Sequence, residues 1–189
     1  MRIGVVSDTH GFLDPRLAEL LAGVDAILHA GDVGSDEVLD GLAKIAPVQA
    51  VRGNVDPQPL RLPPSLTLQF ENTQLELIHH LPVPAAELQK WSDGELLGKV
   101  HPERREVFLR NFGEATRVVV FGHSHQPCLF TLSHRLFLNP GSAGKQRFSL
   151  PRSCGLLEVF PRGVRGTILS LGRHNEKLPG KVWLPVGGP

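Results

Sequence analysis

Tyrosine is absent from this sequence, methionine occurs once and cysteine only twice. Cys128 and Cys154 form no CxxC pair, which argues against a thiolate zinc site and against a disulfide framework. They read as two small buried apolar residues in a reducing compartment. No stretch approaches the roughly 18 consecutive apolar residues of a transmembrane helix. A charge excess is missing as well: 20 Lys+Arg against 19 Asp+Glu leave a formal charge of +1. Binding nucleic acid through its phosphates needs a large basic excess, and no basic strand here carries interleaved aromatics for base stacking. The chain runs at once into an apolar β-branched stretch, Ile3-Gly4-Val5-Val6, which leaves no space for a signal or transit peptide. The expectation is a soluble, cytoplasmic protein with no membrane and no stable nucleic-acid partner.

What is present is a globular composition. The 189 residues are 41% hydrophobic and 21% charged, enough to bury a core without staples and too apolar for disorder. The length predicts one domain over residues 1–189, with 172–189 as a loosely packed tail interrupted by Pro179, Pro185 and Gly187-Gly188. Against the scarce residue types, nine histidines stand out.

Apolar runs at 3–6 and 26–30 predict strands buried on both faces, and the run at 48–51 predicts a third strand. Between them lie two helical patterns. Asp14-Pro15 opens the first, with Leu17, Leu20 and Leu21 at helical spacing; Ser35 caps the second, with Val38, Leu39, Leu42 and Ile45 on its apolar face. This β-α-β-α-β order predicts a parallel sheet. A proline-rich loop at 57–64 precedes an antiparallel hairpin at 66–70 and 75–78. Residues 85–112 predict two helices, broken near Asp93-Gly94 and Pro102. Further strands are expected at 117–121, 129–132, 135–138, 155–159 and 166–171. The fold class is α/β, two packed sheets with helices outside.

The strand ends carry the chemistry. They read Asp8-Thr9-His10, Gly31-Asp32, Gly53-Asn54, His79-His80 and Gly122-His123-Ser124-His125. Ligands of open α/β sheets bind outside the carboxyl ends of the strands, so these residues are expected on one rim. Strand alternation would point Asp8 and His10 to one side, and likewise His123 and His125. Two carboxylates, an amide oxygen and up to five imidazoles suit two divalent cations sharing a carboxylate. Oxygen and imidazole ligands without thiolate favour Mn²⁺, with Fe, Zn²⁺ or Ni²⁺ as alternatives. Glycines before Asp32, Asn54 and His123 permit close backbone approach.

In this order the motifs D-x-H, G-D, G-N-x-D, a His after a strand and G-H-x-H resemble the signature of the calcineurin-like metallophosphoesterase superfamily. Small size and the segment Asn139-Pro140-Gly141-Ser142 are similar to its compact bacterial and archaeal phosphodiesterase branch. The resemblance implies a two-sheet α/β/β/α sandwich. It implies one metal on Asp8, His10, Asp32 and His125, a second on Asp32, Asn54, His79 and His123, and Asp32 as the bridge. It also implies hydrolysis of a small phosphodiester by in-line attack of a metal-bridging hydroxide, with these seven residues as the catalytic set. A homodimer or larger homo-oligomer is expected. The alternative is a scaffold with little or no catalysis, like the small subunit of the retromer coat, which resembles the same branch.

Departures from the pattern are informative. Val55 stands where many members have the His that protonates the leaving group, so either a preference for esters with good leaving groups or protonation by water is expected. His79 best matches the family's ligand; His80 is expected on the opposite side of the strand. His29 is expected to pack beneath the site, and His101, His134 and His174 to be solvated. Asp56 is expected to be structural, Asn139-Pro140-Gly141-Ser142 to be a turn near the second metal, and Arg147 and Arg152 to be exposed.

Overall fold

The computed structural model describes residues 1–82, 102–146, 149–172 and 178–185. Strand β1 (Arg2–Val6) is followed by α1 (Leu17–Leu20), β2 (Ala26–His29), α2 (Asp36–Ala43) and β3 (Val48–Ala50). The pairings β1 with β2 and β2 with β3 are parallel, as the alternation of strands and helices requires. A 3-10 turn at Gln58–Leu60 leads to β4 (Ser65–Phe70) and β5 (Thr73–Ile78), an antiparallel hairpin. Then come α3 (Pro102–Leu109), β6 (Thr116–Val120), β7 (Cys128–Leu132), β8 (Arg135–Asn139), β9 (Ser153–Phe160), β10 (Gly163–Ser170) and β11 (Val182–Pro185). One sheet has the order β11-β10-β9-β1-β2-β3, the other β4-β5-β6-β8-β7.

The layers follow from the two-residue period of strands. In β1, Ile3 and Val5 face the second sheet, while Val6 faces the helices. In β6, Val118 and Val120 face the first sheet, and Val119 faces away from it. Three apolar clusters result. Between the sheets lie Ile3, Val5, Leu28, Leu77, Val120 and Leu138. Leu17, Leu21, Val38 and Leu42 cover the first sheet, and Phe108 and Phe112 cover the second through Phe137. Each such buried aliphatic side chain contributes roughly 1.5–3 kcal/mol. The arrangement is the α/β/β/α sandwich expected from the sequence.

Three local readings differ. The first α-helix starts at Leu17 rather than at Pro15, because Leu17, Ala18 and Glu19 N–H close three-residue turns onto the Asp14, Pro15 and Arg16 carbonyls. Asp14 still caps that turn, its Oδ1 accepting Arg16 N–H at 2.9 Å while the carboxylate also pairs with the Arg16 and Arg152 side chains. Residues Val182–Pro185 form an edge strand on β10 instead of belonging wholly to a tail; Leu184 is 5% exposed and packs in the inter-sheet cluster. Proline at 102 begins α3, where its fixed φ and missing N–H are tolerated. The helix predicted before it lies outside the described residues. Among the described residues no helix is long and apolar enough to cross a membrane.

Candidate metal centre

β1, β2 and β3 run parallel in one sheet, and β5 and β6 run parallel in the other, so their following loops meet along one edge. Backbone hydrogen bonds knit those loops together: Asp8 N–H to Gly31 O (3.0 Å), His10 N–H to Asp32 O (2.9 Å) and Gly122 N–H to His79 O (3.0 Å). The strands stop before the functional side chains. Asp8, His10, Asp32, His123 and His125 all have positive φ, between 49° and 69°. Such left-handed backbone is costly for non-glycine residues, and its concentration at five candidate ligands marks a functional site. Asp8 and His10 do converge, but through this turn and not through strand alternation. His123 and His125 diverge into different clusters, contrary to the alternation reading.

The seven residues form two adjoining groups. In the first, His125 Nε2 lies 3.5 Å from Asp8 Oδ1 and 3.3 Å from His10 Nε2, and His10 Nε2 is 3.9 Å from Asp32 Oδ2. In the second, His79 Nε2 lies 3.5 Å from Asp32 Oδ2 and 3.0 Å from Asn54 Oδ1, and His123 Nδ1 lies 2.9 Å from the same amide oxygen. Asp32 faces both groups. One ligand atom each from Asp8, His10 and His125 lies within 4.8 Å of the others, and the same holds for Asp8, Asp32 and His79.

These atoms fit divalent cations. Asp8 Oδ1 is buried and has no hydrogen-bond partner, while Oδ2 accepts from Ser7 Oγ (2.7 Å) and His123 N–H (3.1 Å). A lone carboxylate oxygen in such a place is costly unless a cation or proton meets it. His79 donates Nδ1–H to Ala30 O at 2.7 Å, which turns its Nε2 lone pair toward the oxygens of Asp32 and Asn54. Repulsion there is relieved by a proton or by a cation. Without cations, burial pushes the Asp8 carboxyl up to about 7 against its two hydrogen bonds. Burial also opposes ionisation of Asp32, yet hydrogen bonds from His79 and from Val55 N–H outweigh it and hold the group at about 2. His79 is raised: burial lowers it, but Asp32, the Ala30 carbonyl and Asp8 prevail. His123 is lowered by burial and by the imidazoles of His80 and His79.

Close approach requires all three glycines that precede ligands: a Cβ on Gly31, itself at φ 89°, would come within 2.6 Å of His79 Nδ1. A Cβ on Gly53 would overlap the Asp32 carboxylate, and one on Gly122 would overlap Ser7 Oγ and press on Asp8 Oδ2 at 2.9 Å. Asp56 is structural, as expected: its two oxygens accept from Gly34 N–H and Gly53 N–H, both at 2.8 Å, and lock the β2 and β3 loops together.

His29 packs beneath the site, fully buried, with Nε2 2.9 Å from Thr9 Oγ1. His80 is exposed and sets its ring edge-on against His123 at 4.5 Å. His134 sits in an exposed turn with φ 60°. His101, His174 and Arg147 lie outside the described residues.

One reading is corrected. Arg152 is not an exposed loop arginine: only 16% of its side chain is exposed, and it binds Asp14 and the Ala143 and Gly144 carbonyls. The turn at Asn139-Pro140-Gly141-Ser142 supports both groups: Asn139 Nδ2 donates to Gly122 O, one residue before His123, and Ser142 Oγ donates to Asp8 O at 2.9 Å.

Sequence reasoning missed Ser7, and it placed Asn139 only as part of a turn. Asn139 Nδ2 donates to Gly122 O at 2.8 Å and so fixes the turn that carries His123. The position of Ser7, one residue before a candidate ligand, was its only signal. Cys128 and Cys154 are buried free thiols, pushed up to about 12 by burial.

Comparison with known proteins adds a family. The description "Calcineurin-like phosphoesterase superfamily domain" matches residues 1–160. A probable metallophosphoesterase of Methanothermobacter thermautotrophicus is 33% identical over 161 residues, covering 80% of this chain and 82% of that protein. Among solved structures, wild-type Vps29 of Entamoeba histolytica complexed with Zn²⁺ superposes with a TM-score of 0.71 at 21% identity, covering 97% of this chain and 99% of that one. Yfce, a phosphoesterase from E. coli, gives a TM-score of 0.63 at 21% identity over 97% and 100% of the two chains. At these identities the two solved structures speak to the fold alone.

Proposed function

This chain belongs to the calcineurin-like phosphoesterase superfamily, and we propose that it is a dinuclear, Mn²⁺-dependent phosphodiesterase acting on a small phosphodiester in the cytoplasm. The single observation that carries the reading is the complete, converging set Asp8, His10, Asp32, Asn54, His79, His123 and His125, with Asp8 Oδ1 buried and lacking a hydrogen bond. Asp8, His10, Asp32 and His125 would hold one cation, and Asp32, Asn54, His79 and His123 the other. When bound, two such cations supply Lewis acidity toward phosphoryl oxygens and make water acidic enough to attack near neutral pH.

The chain's own groups support attack by water rather than by a side chain. Ser7 Oγ donates to Asp8, Thr9 Oγ1 to the Val33 carbonyl and Ser142 Oγ to the Asp8 carbonyl, so these three hydroxyls around Asp8 are already committed. Both thiols are buried far from the reactive ionisation range. Asp8 and Asp32 form the floor, 0% and 3% exposed, whereas Asn54 and His123 lie at the solvent edge where an ester can reach them. His79 is oriented by its bond to Ala30 O, and Asp32 by Val55 N–H. The Val55 side chain, 57% exposed, has no proton to give. The reading therefore favours diesters whose leaving group departs as a stable anion.

Asp32→Ala tests this reading against the scaffold alternative. Loss of both bound metal and hydrolysis of bis(4-nitrophenyl) phosphate is expected. A wild-type chain with its metal content verified, yet inert toward diesters and monoesters, would leave the scaffold reading standing.

A further inference from the structure

A cleft of about 380 Å³ opens beside the metal centre, lined among the described residues by Thr9, His10, Gly11, Phe12, Lys145 and Gln146. That volume is in the range of small-ligand sites. One wall is a candidate metal ligand, His10, and the other carries a cation. Lys145 Nζ stands 5.9 Å from the centroid of the Phe12 ring, and among the described residues no carboxylate pairs with it. Arg152 also lies against that ring, at 5.4 Å, but its charge is consumed by buried Asp14 and by two carbonyls. Among the described residues, Lys145 is thus the cation left facing the cleft.

The backbone that carries Lys145 is fixed relative to the metal centre. Ala143 N–H donates to Ser7 O (3.0 Å), Ser142 Oγ donates to Asp8 O (2.9 Å), and Arg152 holds the Gly144 carbonyl. Gly144 lies so close to the Asp8-Thr9 turn that a Cβ there would come within 2.5 Å of Asp8 O. Position 145 therefore keeps a set distance from His10, while its long side chain can adjust over the Phe12 ring. A fixed anchor with an uncommitted ammonium, one cleft away from the phosphoryl site, matches a ligand bearing a second negative charge.

We propose that this cleft is a second-anion subsite, in which Lys145 binds a phosphate or carboxylate carried by the group esterified to the scissile phosphate. The inference rests on the phosphodiesterase reading and deepens it: the substrate class becomes a diester with an anionic substituent. Phe12 is the apolar floor under the linking carbons, and Gln146 borders the rim of the cleft.

The test uses the full chain loaded with Mn²⁺ and three synthetic esters: 4-nitrophenyl propyl phosphate, its 3-phosphopropyl analogue and its 3-carboxypropyl analogue. Lys145→Gln should raise KM for an anionic ester by up to about 5-fold, the range of one solvent-exposed ion pair. It should leave kcat and the propyl ester unchanged. Lys145→Arg should restore KM, and the difference should shrink with added salt. The larger response of the phosphate or the carboxylate ester identifies the preferred anion. Equal effects on all three esters, or none on any, would overturn the subsite.

Calorimetric binding of propane-1,3-bisphosphonate against propylphosphonate gives a readout that needs no turnover. Their affinity ratio should fall in Lys145→Gln, and an unchanged ratio would overturn the subsite on its own. If no ester is hydrolysed while the ratio still falls, the phosphodiesterase reading fails and the anion subsite stands.

Discussion

His125 Nε2 stands 3.5 Å from Asp8 Oδ1, the buried carboxylate oxygen that has no hydrogen bond. Two residues from the two facing sheets, one after β1 and one after β6, thus share a gap whose chemistry calls for a positive charge. In the metal-free protein that demand falls on protons.

A pH dependence follows for the metal-free chain. The folded pKa of Asp8, about 7, lies above its ordinary value of 3.8, so its contribution to stability is fully present below about pH 4 and is lost as pH rises through 7. Asp8→Asn removes this loss. With chelator present, the variant should gain on the wild type as pH climbs from 4 to 7, by roughly 4 kcal/mol at the limit. Denaturant titrations at several pH values check this; a difference that is constant with pH would contradict it.

His29 makes the opposite contribution. Burial, with the nearby His79 charge, drives it from 6.5 down to about 3, so its stability is present above 6.5 and lost as pH falls toward 3. Thr9 Oγ1 donates to Val33 O at 2.9 Å, so His29 Nε2–H is the donor to Thr9 Oγ1. Thr9→Val leaves that N–H without an acceptor and should cost about 1–3 kcal/mol at neutral pH, read by thermal or chemical denaturation.

At Gly53 the expected effect is on both packing and metal. Gly53→Ala sets a methyl against the Asp32 carboxylate and should destabilise the protein by about 1–3 kcal/mol. Metal analysis of the folded fraction should show fewer bound ions than in wild type. Full metal content with unchanged stability would mean that the loop relaxes freely.

Val55→His introduces a proton donor next to Asn54, on a side chain already 57% exposed. A positioned general acid is worth about 10²–10⁴-fold when the leaving group is poor. Turnover of dialkyl phosphates should rise by about 10-fold or more, while bis(4-nitrophenyl) phosphate changes little. Equal changes on both substrates would argue against a missing acid.

Much of this was legible in the sequence because periodicity and strand order are local signals. The runs around Ile3 and Leu28 announced strands buried on both faces, the run around Val118 a further strand, and parallel order alone sent Asp8, Asp32 and Asn54 to one rim. The motifs after β1, β2, β3, β5 and β6 named the seven candidate ligands. Less legible was how those residues get there. Positive φ at Asp8, His10 and His123 is imposed by contacts between loops, such as Asp8 N–H to Gly31 O, and such bonds leave no periodic trace. The same holds for Arg152, whose partners Asp14 and Gly144 lie far apart in the chain, and for Lys145, whose meaning depends on the cleft beside His10. The edge strand at Val182–Pro185 was hidden by its flanking prolines and glycines.

The most direct test counts metal and turnover together. Metal-stripped protein is titrated with Mn²⁺ while release of nitrophenolate from bis(4-nitrophenyl) phosphate is followed and bound metal is measured by mass spectrometry. Hydrolysis that is absent at the start and reaches its plateau as the chain takes up its second ion is the expected result. A chain that holds two ions and hydrolyses neither this diester nor 4-nitrophenyl phosphate would contradict it.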